Sequence, residues 1–244
     1  MIRVLKSVIP TLTFAASLAS ASMAGAATYV LQNGAMDTPR TVSIAGIGSV
    51  KATPIQFDGY VDLVVDKPFT DLVAFCVDVY HHISLGTYSP ALTYTDTIPL
   101  TTDSNFTTPI ALTGAQITQV GKLVNYGTKV FYNAPQVTGA QKNARWDELA
   151  VIQSAIWEVA SGKNVTFTGS ATLDARVTLL SGASYLTGFS PSYGTISSDI
   201  TLITPFKGSV TYPDRSLTQS FAFANVPEPA TWAMMIGVLL RCYP

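Results

Sequence analysis

The stretch Leu149-Ala150-Val151-Ile152-Gln153-Ser154-Ala155-Ile156-Trp157-Glu158-Val159-Ala160-Ser161-Gly162 decides how this chain is read. Leu149, Ile152, Ile156 and Val159 recur at three- and four-residue steps, the spacing of one helical face, with Trp157 beside the stripe. Gly162 suits the left-handed turn that ends a helix, so a helix over residues 142–161 is predicted. Asp147 and Glu148 stand near its start, where negative charge favours the helix dipole. Gln153 interrupts the pattern. It adjoins Ile152 and shares a face with Leu149, Ile156 and Trp157, and a carboxamide on an apolar face needs a hydrogen-bonding partner.

Away from this segment the period changes. Residues 41–47 alternate, 60–65 form a β-rich run and 71–80 are mostly apolar, with Gly and Pro between them. A helix over 113–126 is predicted from Thr113 as its cap, Ile117, Val120 and Val124 on one face, and Gly127 as its stop. A third helix is expected over 173–180, and beyond Gly182 short alternating runs at 200–206 and 216–223 return to strand. The expected fold is mainly β with an α insertion (α+β), a β-sandwich or barrel whose helical insertion carries the Gln-Ser-Ala-Ile-Trp helix. No fixed-period repeat points to a solenoid or propeller.

Of the 244 residues only 12% are charged and the formal net charge is -1, so no basic stripe is available for phosphates and nucleic acid is not an expected partner. The 48% hydrophobic content, rich in β-branched and aromatic residues, belongs to a chain that folds. Arg3 and Lys6 precede an uncharged stretch ending in Ala24-Gly25-Ala26-Ala27, the three-part pattern of a secretory signal peptide. The chain therefore divides into a signal peptide over 1–27, a globular domain over 28–224 and a tail over 225–244.

Two cysteines are present, Cys76 and Cys242, and an exported protein meets an oxidising compartment where disulfides persist. Cys242 lies in the far tail, which leaves Cys76 as an odd cysteine that requires a reason.

The tail reads Val226-Pro227-Glu228-Pro229-Ala230-Thr231-Trp232, then an apolar run to Leu240, then Arg241. It resembles the PEP-CTERM sorting signals of exported proteins from Gram-negative bacteria that make extracellular polymer. The resemblance implies a cell-surface or extracellular location, processing by exosortase-type machinery and attachment to the membrane through the tail. The chain departs from that pattern in two ways. Only about ten apolar residues precede Arg241 against the roughly twenty of a spanning helix, and Cys242-Tyr243-Pro244 replaces a basic cluster.

Ala74-Phe75-Cys76-Val77-Asp78 and Gln153-Ser154-Ala155-Ile156-Trp157 together resemble the paired motifs of the thioester domains of bacterial surface adhesins. The resemblance implies an internal thioester between Cys76 and Gln153 and covalent attachment to an amine-bearing surface or matrix molecule. Chemistry sets its requirements: a thiolate is a good nucleophile, but a primary carboxamide yields only to close positioning and a supported oxyanion. Water must also be kept from the product, and Phe75, Trp157 and Tyr126 are the candidates for doing so.

The alternative is a passive structural or binding β domain of the extracellular polymer layer, with Cys76 a buried reduced cysteine acting as a small hydrophobe. A third reading, a cysteine hydrolase, would draw on Cys76, His82 and Asp78. His81 and His82 are the only histidines, and neighbours on a strand point to opposite faces, so no metal site is expected and His82 is a candidate only for proton transfer. Neither a Gly-x-Ser-x-Gly elbow nor a phosphate loop is present, so neither an enzyme nor a bound cofactor is expected.

Overall fold

β-Branched and aromatic residues in short runs place the first part of the chain in strands. These are β1 (Thr28–Ala35), β2 (Arg40–Ile44), β3 (Gly48–Ala52), β4 (Ile55–Val61) and β5 (Pro68–Cys76), followed by β6 (Leu92–Asp96), β7 (Leu100–Thr102) and β8 (Pro109–Ala111). Two long helices come next, α1 (Gly114–Asn133) and α2 (Ala140–Ser161), then β9 (Val165–Phe167) and α3 (Ala171–Ser181), and β10 (Ile200–Pro205) and β11 (Phe221–Ala224) follow. The computed structural model describes residues 28–61, 68–80, 92–96, 100–102, 109–133, 139–182, 196–205 and 219–225. The signal-peptide segment, His81, His82, the tail with Val226, Pro227, Glu228 and Pro229, and Cys242 lie outside the described residues.

The chain has a mixed fold of helices and antiparallel sheets. Six strands pair in a ring ordered β1-β4-β5-β11-β10-β6, with β6 returning to β1. β2 pairs with β3 on one side and β9 on the other, and β7 pairs with β8. Both α1 and α2 pack against β5, which explains its burial pattern. The first residues of β5 are exposed or half-buried, whereas Val73, Ala74, Phe75 and Cys76 are all buried, because that end of the strand is covered on both faces. Phe57 and Phe221 meet edge to face with ring centroids 5.2 Å apart, joining β4 to β11 across the core.

The start of α1 follows the sequence expectation and its end does not. Thr113 and Gln116 form a reciprocal cap: the Gln116 N–H donates to Thr113 Oγ1 at 3.3 Å and the Thr113 N–H donates to Gln116 Oε1 at 2.9 Å. Gly127, expected to stop the helix, lies inside it and is buried. Its lack of a side chain serves packing: a Cβ there would sit 2.3 Å from Phe75 Cζ and 3.2 Å from Ile152 Cγ2. Glycine at this position lets α1 close onto β5 and α2 at the point where Cys76 and Gln153 follow in sequence.

In α2 every residue from Leu149 to Trp157 is buried, so the apolar stripe seen in the sequence is part of a helix enclosed on all sides. The predicted stop is observed: Gly162 adopts the left-handed conformation (φ 67°) and its N–H donates to Glu158 O at 2.8 Å. α3 begins at a Ser170 cap and runs slightly past the expected bounds.

Candidate functional site

β5 ends at Cys76, and its last residues lose their neighbour on one side. β4 begins at Ile55, which faces Ala74, so β4 offers no paired residue opposite Cys76. On the other side Phe221 of β11 faces Cys76, and the Val77 N–H donates to Ser220 O at 3.1 Å. The open side is filled from α2. The Cys76 N–H donates to Gln153 Oε1 at 3.0 Å, and Gln153 Nε2 donates to Cys76 O at 2.7 Å. The carboxamide thus pairs with the strand main chain as another strand residue would.

Both residues are enclosed, Gln153 at 0% exposure and Cys76 at 5%. A buried carboxamide without partners would be costly, and here one acceptor and one donor are satisfied at once. The arrangement has a chemical consequence as well. The N–H that holds the Gln153 carbonyl oxygen occupies the place of a donor that would stabilise negative charge developing there.

Burial pushes the Cys76 thiol far above its ordinary range, and the negative charge of Asp78 adds to this, while a hydrogen bond from its own backbone acts in the opposite direction. The sulfur is therefore protonated at neutral pH. It is a free thiol, without a disulfide among the described residues.

A cavity of about 210 Å³ reaches Cys76, with Asp78, Trp157, Lys51 and Gln219 also on its walls. Asp78 is 1% exposed; its Oδ1 accepts the Tyr80 N–H at 2.9 Å and its main-chain oxygen accepts Gln219 Nε2 at 3.0 Å. The site thus draws on β5, the segment after it, α2 and the residues just before β11.

The residues considered as water shields occupy different places. Trp157 borders the same cavity as Cys76, and its indole N–H has no acceptor among the described residues. Phe75, fully buried, packs under Gly127 of α1. Tyr126 is buried and directs its hydroxyl to Glu148 Oε1 at 2.7 Å, and it does not line the cavity. His82 lies outside the described residues. Asp147 and Glu148 are tied into ion pairs with Arg40 and Arg176.

Sequence reasoning gave no role in the thioester chemistry to Asp78 and did not select Gln219. A signal for Asp78 was available, since residues two apart on an extended chain share a side and Asp78 follows Cys76 by two. Gln219 carried no such signal, because only the return of the chain brings it to Asp78. Among the described residues no group of three His, Cys, Asp or Glu side chains could hold a metal ion, and no helix is long and apolar enough to cross a membrane.

Comparison with protein-family models, with curated proteins and with solved structures found no match for this chain.

Proposed function

We propose that this chain is an exported surface or matrix protein whose domain forms an internal thioester between Cys76 and Gln153 and uses it to capture an amine-bearing partner. The observation that carries this reading is the doubly hydrogen-bonded approach of the Gln153 carboxamide to Cys76. In the forming step the sulfur adds to Gln153 Cδ, the Cys76 N–H holds the oxygen as it becomes negative, and the carbon–nitrogen bond then breaks. The thiol proton leaves with the nitrogen as ammonia. Capture is a single event per molecule, which separates this chemistry from enzymatic turnover.

The second reading is a passive β domain of the extracellular polymer layer with Cys76 reduced and buried. It is favoured by two specific observations. The raised thiol keeps the sulfur protonated, and the pairing with the Cys76 main chain accounts for a buried Gln153 without any chemistry. This reading fits the described atoms with no further step, and the thioester reading adds one bond to them.

Intact-mass measurement of the mature protein decides between the two. The thioester reading requires the loss of one ammonia, absent from Cys76→Ala and Gln153→Ala. An unmodified mass, with a thiol that alkylates once the fresh protein is unfolded, establishes the passive reading instead.

Export rests on the 1–27 segment, and sorting by exosortase-type machinery rests on Val226-Pro227-Glu228-Pro229. N-terminal sequencing of secreted material tests the first, with Thr28 as the expected first residue. We read the six-strand ring as a β-barrel and α1, α2 and α3 as the insertion that supplies the glutamine, with β9 following α2 to extend the β2–β3 sheet.

A further inference from the structure

Two breaks in strand register lie close together, and one carboxylate ties them. Along β1 the pairing jumps from Gln32 opposite Asp58 to Ala35 opposite Gln56, so Asn33 and Gly34 have no register partner on β4. Between β4 and β5 the register shifts again, from Phe57 to Gly59, across Asp58. Asp58 Oδ2 accepts from Asn33 Nδ2 at 3.2 Å, and its Oδ1 accepts from the Asp71 N–H at 3.2 Å. Asn33 and Asp71 both adopt the left-handed conformation, at φ 52° and 54°, which residues other than glycine enter at a cost. Asp58 thus clips β1 and β5 together at their irregular points.

Asn33 is exposed, and the residue after it is glycine, which puts no Cβ beside its own nitrogen and leaves the backbone freest to turn that nitrogen toward the asparagine side chain. We infer that Asn33-Gly34 is a self-modification site, converting to an aspartyl or isoaspartyl residue, and that the conversion opens the Asp58 clip. The Gly34 nitrogen adds to Asn33 Cγ and gives up its proton. The carbon–nitrogen bond of the side-chain amide breaks, and that nitrogen leaves as ammonia with the proton. Water then opens the five-membered imide at either carbonyl, leaving a carboxylate. Only water is consumed. Where Asp58 accepted a hydrogen bond it now meets a second anion, and like charges at this range across a strand pair are destabilising. The change runs one way, so the β1, β4 and β5 pairing loosens as the protein ages.

The test incubates the full mature chain near neutral pH, folded and, as a reference, unfolded in urea. Its readout is the peptide 28–40, released by cleavage after Arg40, whose mass rises by about 1 Da on conversion. Fragmentation places the change at Asn33 and not at Gln32. The folded chain is expected to convert within about tenfold of the unfolded rate, because the register break leaves this dipeptide unpaired. A folded chain that keeps the amide while the unfolded chain loses it overturns the proposal. Gly34→Ala is expected to slow conversion about tenfold or more, since a Cβ hinders the attacking nitrogen; an unchanged rate overturns the backbone attack.

The clip is read separately. Asn33→Asp is expected to lower the urea midpoint of the otherwise wild-type chain and to leave it nearly unchanged in Asp58→Asn, whose amide can donate to the new carboxylate. Equal losses in the two backgrounds overturn the role of Asp58. Should Asp58→Asn fail to fold, salt decides: the loss caused by Asn33→Asp is expected to shrink at high ionic strength, and a loss indifferent to salt overturns the charge repulsion. The imide intermediate lacks one ammonia, as a thioester does. An ammonia loss that persists in Cys76→Ala and Gln153→Ala and maps to Asn33 reports the imide, so this inference stands or falls apart from the thioester reading.

Discussion

Gln153 of α2 and Cys76 of β5 are joined through main chain rather than through sulfur: the carboxamide accepts from the Cys76 N–H and donates to the Cys76 carbonyl, at 3.0 and 2.7 Å. In the unlinked protein, Gln153→Leu strands a buried donor and a buried acceptor together and is expected to cost about 2–4 kcal/mol. Cys76→Ala keeps that pairing, so it is expected to cost only about 1 kcal/mol. Urea denaturation of the two variants, compared by midpoint at constant slope, checks the order.

Gly127→Ala is expected to destabilise the domain. Alanine gains about 1 kcal/mol of helix propensity, but its Cβ meets Phe75 Cζ at 2.3 Å, and overpacking of this kind costs about 1–3 kcal/mol. Because Phe75 precedes Cys76 and Ile152 precedes Gln153, the same change is expected to reduce the ammonia loss seen by mass. A melting temperature equal to wild type would contradict the close packing.

The Cys76 thiol gives a pH dependence with a definite sign. Its folded-state value is raised, so between the unfolded and folded values the native state holds more protons than the unfolded one. The stability it contributes is complete below the unfolded value of about 8.5 and declines as the pH rises above it. Unlinked wild type is expected to lose stability above that point, and Cys76→Ala to lose less, measured by denaturant midpoints across the range. An acylated sulfur has no such proton, so thioester-containing protein is expected to follow the variant until base opens the bond.

Glu148 receives both the Tyr126 hydroxyl at 2.7 Å and Arg176 through two nitrogens at 2.7 and 3.2 Å, with its side chain 22% exposed. Glu148→Gln is expected to cost about 1–2 kcal/mol through the weakened charge-assisted bonds. Asp147→Asn, which loosens a more exposed pair with Arg40, is expected to cost less than about 1 kcal/mol. Thermal unfolding of both variants at low and high salt checks the ranking.

How far the sequence could be read depended on the range of each interaction. Gly162 as a stop, Thr113 as a cap and the helical course of α2 were legible because each is set within a turn or two of chain. The same local rule failed at Gly127, where glycine matches the shape of Phe75 on a strand fifty-two positions earlier, 127 minus 75, and no window around it contains that information. Tyr126, a candidate for keeping water from the site, turns its hydroxyl to Glu148, a choice set by the neighbouring helix.

The sequence by itself determined that a glutamine would sit on the apolar face of a long helix, and that an odd cysteine would lie within the strand run over 71–80. Only the tertiary structure decided that the two answer one another. β4 starts too late to pair with Cys76, α2 crosses at that gap, and the chain returns through Gln219 beside Asp78. Hydrogen-bond satisfaction in a closed interior is a property of all the surrounding elements together, and periodicity along one of them carries no record of where the others end.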